Sequence, residues 1–170
     1  MDVNPGYVYV GIDPGKKGAV GAVYNEGQLA EAWYVPKLRD EYDLLGMLKL
    51  LFQFRKLREA GWKVLVGIER QAPRPTDPRH TSYMVGLAQG LWEMGCASNK
   101  LPYELIAPQS WKRRYVAAGA SKQESIIAAQ AIYPDMKFPL KKSEALAEAL
   151  LIADFVMRKD LELNYPYSRK

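Results

Sequence analysis

The chain has 170 residues, 48% of them hydrophobic and 25% charged, the balance of an ordinary globular protein, which excludes disordered and fibrous classes and suits one domain. The 24 Lys and Arg against 19 Asp and Glu leave a net charge of +5, which permits a polyanionic partner without requiring one. The single cysteine, Cys96, excludes an internal disulfide, MDVNPGYVYV has no basic region followed by an apolar run, and no stretch approaches a membrane span, so a soluble cytosolic protein is expected.

Tyr7 to Ile12 is rich in β-branched and aromatic residues and is stopped by Asp13-Pro14-Gly15, which predicts a strand and a tight turn. A second strand is predicted at 19–24, a turn at Asn25-Glu26-Gly27 and a third strand at 28–35, together an antiparallel meander. From Glu41 to Ala60 the residues Leu44, Leu45, Leu48, Leu51, Phe52 and Leu57 recur at helical spacing, and Gly61 supplies a stop. The short apolar run at 63–68 predicts a strand buried on both faces, central and parallel. Glu69 ends it, where open α/β sheets place their ligands.

A Pro-rich surface loop follows at 71–79, then a helix from Ser82 to Ala97 with Gly86 and Gly90 stacked on one face. A fifth strand is predicted at 103–107, and Pro108-Gln109-Ser110-Trp111-Lys112 opens a short helix. Ser121, with Glu124 at the capping-box spacing, begins a helix that stops at Pro134. The last helix spans Ser143 to about Met157, with Leu146, Ala149, Leu150, Ala153 and Val156 on its apolar face. These elements make one α/β domain over 1–163 with a short tail at 164–170.

Four acids stand at the edges of apolar segments: Asp13, Glu69, Glu144 and Glu148. A carboxylate at the buried end of a strand is costly to keep charged unless a cation or a metal pairs with it. If the first and fourth strands are neighbours their ends meet, and Glu144 and Glu148, four apart on one helix face, close the cluster from above. Oxygen-only ligands suit Mg2+ or Mn2+, whereas zinc would need more than the one His and one Cys present. Two such ions about 4 Å apart activate a water on one side of a phosphodiester and stabilise the leaving oxygen on the other. For Glu144 and Glu148 the plain alternative is a pair of exposed acids at a helix N-terminus, where the macrodipole favours negative charge.

The segments GIDPG, VGIE, APQSWKR and KKSEALAEALLIA, in this order, resemble the RuvC-type Holliday junction resolvases over nearly the whole chain, especially their bacteriophage branch. The resemblance implies an RNase H-like fold with a five-stranded mixed sheet, three antiparallel strands then two parallel, flanked by helices. It also implies a homodimer in a bacterial, phage-encoded setting. The activity implied is Mg2+-dependent, symmetric, paired nicking of four-way and other branched DNA, with two ions per site. Asp13 matches the family's first-strand Asp, Glu69 its fourth-strand Glu, Glu148 the acid before a small and apolar stretch, and Glu144 the other carboxylate of that helix. These four are the implied catalytic and metal-binding residues. Ser143-Glu144 stands where the phage branch usually has His-Asp, and bacterial members space the last two acids by three; Lys141 or Lys142 is the candidate to replace the His.

Lys112, Arg113 and Arg114 form a basic cluster that the resemblance assigns to phosphates, the alternative being a solvated charged face. Arg70, Arg74, Arg79 and His80 flank Glu69, where the resemblance places a junction-probing wedge and the alternative is a plain surface loop. The expected DNA contacts are therefore Arg70, Arg74, Lys112, Arg113, Arg114, Lys141 and Lys142. Tyr83, Met84 and Trp92 are expected in core or dimer packing, with the Gly86/Gly90 face as a dimer contact. GIDPGKKG also resembles the first phosphate loop of actin-like kinases and chaperone ATPases, but those need a duplicated domain of about twice this length, so no nucleotide cofactor is expected. Two other functions stay open: a branched-DNA-binding module whose acids are structural, and ribonuclease H-like cleavage of RNA–DNA hybrids.

Overall fold

The computed structural model describes residues 6–119, 121–138 and 143–164; Lys141, Lys142 and positions 165–170 of the expected tail lie outside the described residues. The predicted meander forms β1 (Tyr7–Asp13), β2 (Ala19–Tyr24) and β3 (Leu29–Tyr34), with a 3-10 turn at Asn25–Gly27. A small hairpin of β4 (Lys37–Leu38) and β5 (Glu41–Tyr42) precedes α1 (Leu44–Glu59) and β6 (Lys63–Glu69). Then come α2 (Arg79–Ser98), β7 (Tyr103–Ile106), α3 (Pro108–Tyr115), α4 (Lys122–Ile132) and α5 (Glu144–Asn164). The main sheet runs β3-β2-β1-β6-β7. It is antiparallel across β3-β2-β1 and parallel across β1-β6-β7, the mixed sheet expected from the sequence.

Successive strand residues face opposite sides of a sheet, so the central strands serve two cores. Val8, Val10, Ile12, Val64, Val66 and Ile68 face α1 and α2, where they join Met47, Leu51, Phe54, Trp92 and Cys96. Tyr9 and Val23 face the other way and pack with Leu150, Ala153 and Val156 of α5, Trp111 of α3 and Ala129 of α4. Burial on both faces is what the apolar run of β6 requires.

On the α5 face the strands carry glycine where the helix crosses. Gly11 pairs with Gly21 on β2 and with Gly67 on β6, which makes a row of three across the sheet. A Cβ on Gly11 would lie 2.2 Å from the Ala149 carbonyl oxygen and 2.4 Å from the Ala153 nitrogen. One on Gly21 would lie 2.7 Å from the Ala149 carbonyl carbon, and one on Gly67 2.5 Å from Val156 Cγ2. The α5 backbone therefore rests directly on β1 and β2. Asp13, two residues past Gly11 and on the same strand face, comes under the first turns of the helix.

Several elements differ from their sequence expectation. The helix expected from Glu41 begins at Leu44, because Asp43 caps it by accepting from Gly46 N at 2.9 Å and Glu41–Tyr42 pairs in the hairpin. Its inward face is Met47, Leu51 and Phe54, while Leu44, Leu45, Leu48 and Phe52 are exposed. Apolar residues surround most of α1, so spacing alone does not choose a face. α2 starts at Arg79, which puts Arg79 and His80 in its first turn and not in the loop. α5 continues past Met157 to Asn164, held by ion pairs of Asp160 with Lys63 at 2.8 Å and Glu162 with Arg114 at 2.7 Å. Trp92 is in the core and Met84 packs against it, but Tyr83 is exposed. A Cβ at Gly86 or Gly90 would meet nothing within 4 Å, so that face is open. No helix among the described residues is long and apolar enough to cross a membrane.

Candidate active site

Asp13 and Glu69 end adjacent parallel strands, one step beyond the Ile12–Ile68 pair. Alternation puts both on the α5 side with Gly11 and Gly67. Above them α5 carries Glu144 and Glu148 one turn apart. Asp13, Glu144 and Glu148 line one cleft of about 590 Å³, whose remaining wall includes Lys17, Tyr34 and Lys37. Glu69 lies behind, only 7% exposed. Trp111 Nε1 donates to its Oε1 and Gln71 Nε2 to its Oε2, each at 2.9 Å. Glu148 accepts from Ser125 Oγ of α4 at 3.5 Å and pairs with Lys112 of α3 at 3.7 Å.

These groups form one electrostatic site. Burial, then the charges of Glu69 and Glu148, push the Asp13 carboxyl up to about 7, against a backbone hydrogen bond from Gly15 and the Lys112 ammonium. Burial also raises Glu69, opposed by the Trp111 hydrogen bond and by Lys112. Glu148, not Glu144, is the α5 acid among the main causes of both shifts. No three His, Cys, Asp or Glu side chains among the described residues stand at metal-ligand spacing. The donor chemistry fits a hard divalent cation: oxygens only, drawn from three elements, with an excess of negative charge that Asp13 registers.

Neither a protein-family model nor a curated protein matches the chain. Solved structures do. Thermus thermophilus RuvC in complex with a Holliday junction substrate is 20% identical, with a TM-score of 0.58 over 90% of this chain and 96% of that one. Thermus thermophilus RuvC on its own is 22% identical, with a TM-score of 0.55 over 89% of this chain and 96% of that one. The yeast mitochondrial Holliday junction resolvase Ydc2 matches at 16% identity and a TM-score of 0.49, over 92% of this chain and 80% of that one. The fold is RNase H-like.

In this RNase H-like frame the expected DNA contacts separate. Lys112 turns to the carboxylates and lies 5.1 Å from the centre of the Trp111 ring. Arg114 is paired with Glu162, while Arg113, Arg70 and Arg74 are exposed. Trp111, Gln71 and Ser125, which hold Glu69 and Glu148, carry no signal of that role in the sequence. Asp154 did carry one, as a lone acid in the apolar stretch ALLIADFVM. It is fully buried and accepts from Tyr115 Oη at 2.6 Å, from Tyr133 Oη at 2.7 Å and from Arg158. It thereby ties α3 and α4 to α5, which fixes Trp111, Lys112 and Ser125 relative to Glu148.

The Asp13 shift sets a pH dependence of stability. Its folded pKa of about 7 lies above the ordinary 3.8, so the folded state binds the proton more tightly. The stability this contributes is complete below about pH 4 and is lost as pH rises to about 7. Metal-free protein is expected to melt lower at pH 8 than at pH 5, and Asp13→Asn to shrink that difference, as followed by circular dichroism. An undiminished difference in the variant would assign it to other groups.

Proposed function

We propose that the protein is a divalent-metal-dependent DNA endonuclease of RuvC type, from the bacteriophage branch, that resolves four-way junctions as a homodimer by paired nicks. The observation that carries this reading is the meeting of Asp13, Glu69 and Glu148, from β1, β6 and α5, at one end of an RNase H-like sheet. A structure of this fold that contains a Holliday junction substrate supports branched DNA as the partner. The segments GIDPG, VGIE, APQSWKR and KKSEALAEALLIA support the phage branch.

Asp13, Glu69 and Glu148, with Glu144 beside them in the cleft, are the residues that would hold Mg2+ or Mn2+, two ions per site. Bound there, the metal supplies an activated water and neutralises charge on the scissile phosphate. Trp111 and Gln71 fix the Glu69 carboxylate, so its orientation is set before substrate arrives. Lys112 brings a positive charge beside Glu148, within reach of a phosphate oxygen drawn to the same site. Asp13 must give up its proton before it can bind a cation, so activity is expected to fall as the pH is lowered.

The test is incubation of labelled mobile four-way junction, Y-fork, linear duplex and RNA–DNA hybrid with Mg2+ or Mn2+. Paired symmetric nicks in the junction are the expected result. Cleavage of the hybrid alone would make the protein a ribonuclease H, and tight junction binding without product would leave a binding module. Light scattering that finds only monomer, with and without junction, would count against the dimer.

Trp111→Phe keeps a buried ring and removes the donor to Glu69. That hydrogen bond favours the charged form of Glu69, so its loss raises the Glu69 carboxyl further, and the acid limb of the pH–rate profile is expected to move to higher pH. An unmoved limb with a lowered melting temperature would reduce Trp111 to packing.

A further inference from the structure

The β4–β5 hairpin, invisible in the sequence, is fastened to the turn between β1 and β2. Lys16 Nζ donates to Asp40 O at 2.6 Å, pairs with Glu41 at 3.6 Å and lies 5.9 Å from the centre of the Tyr42 ring. Val35 N donates to Gly18 O at 3.1 Å, which joins the end of β3 to the same turn. The turn, the end of β3 and the hairpin are therefore one tied unit beside Asp13.

Lys16 is used in that fastening; its neighbour Lys17 is not. Lys17 and Lys37 are exposed, line the cleft of Asp13, Glu144 and Glu148, and make no side-chain ion pair or hydrogen bond among the described residues. A cleft lined by carboxylates repels a phosphodiester strand, and two ammonium groups held on its remaining wall offset that field. Topology adds a second argument. Asp13 ends the central strand; Arg70 and α3 follow β6 and β7 on one side of it, and Lys17 and Lys37 belong to the β2–β3 side. Cations thus flank the acids on both sides, along the path of a strand crossing this end of the sheet.

We propose that Lys17 and Lys37 bind backbone phosphates of the DNA strand that enters the cleft, on the wall facing the α5 acids. The proposal rests on the nuclease reading and adds a phosphate-binding surface to it. It is tested by fluorescence anisotropy of a labelled four-way junction in EDTA across a KCl series, with cleavage in Mg2+ measured on the same preparations. Each lost phosphate contact lowers the slope of log K against log salt by about 0.7–0.9, so Lys17→Gln/Lys37→Gln is expected to lower it by about 1.4–1.8. Lys17→Arg/Lys37→Arg is expected to keep the slope, as is Lys100→Gln at the other end of the sheet. If the wild type cuts the junction and the Gln pair keeps the wild-type slope, this proposal falls and the nuclease reading stands. A loss of about half that size in the single Lys100→Gln, or of equal size in the Arg pair, also overturns it, by making the effect one of net charge or of folding. A wild type that neither binds nor cuts the junction overturns both readings.

Discussion

Asp13→Asn is expected to lower junction cleavage in Mg2+ by on the order of a thousandfold or more while junction binding stays equal or becomes tighter. The amide keeps the size and the hydrogen-bonding reach of the carboxylate but loses the charge. Two consequences follow from the position of Asp13. It is the acid shifted by both Glu69 and Glu148, so removing its charge withdraws a proposed metal ligand and also relieves their repulsion. Relief of that repulsion raises the melting temperature above pH 7 and lets an anionic strand approach more closely. Single-turnover cleavage and anisotropy on one preparation measure both effects. Cleavage at the wild-type rate would remove Asp13 from the chemistry, and a loss of cleavage matched by an equal loss of binding would make its role one of holding DNA.

Asp13 and Glu69 were legible in the sequence because a charge at the end of an apolar run is an anomaly visible in one dimension. Strand order then brought them together, since both end parallel neighbours. Helical spacing paired Glu144 with Glu148, and only the resemblance set Glu148 ahead of it. What holds these acids was not, because it depends on register and packing: Trp111 reaches Glu69 from 42 positions away, and Ser125 reaches Glu148 from 23. Lys112 was read as part of a basic cluster for phosphates, since a run of Lys112, Arg113 and Arg114 does not reveal which side chain turns inward. Spacing does not choose the inward face of α1 for a related reason, as Leu48 and Phe52 have the same spacing as Met47 and Leu51. The β4–β5 hairpin has two residues per strand, too few for any alternation to be read.

The glycine row is a further case in which single residues mean little until register aligns them, and it carries the largest expected effect on stability. Gly11→Ala adds one methyl group, yet that methyl would fall 2.2 Å from the Ala149 carbonyl oxygen. The obstacle is backbone and cannot rotate away, so α5 must lift from β1 or the strand must shift. Overpacking in a core costs about 1–3 kcal/mol when side chains absorb it, so a loss of about 3 kcal/mol or more is expected here, read from the midpoint of urea unfolding. Gly86→Ala is the contrast: its Cβ meets nothing within 4 Å in the middle of α2, and a gain of up to about 1 kcal/mol is expected. The two cores make the Gly11 result informative about function as well. Lifting α5 carries Glu148 away from Asp13, and a displacement of about 1 Å in a catalytic group can lower a rate a hundredfold. The variant is therefore expected to cut slowly even at temperatures where it is fully folded. Unchanged unfolding would mean that α5 does not rest on β1 and that its contact with the strand does not bring the acids on strand and helix to one site.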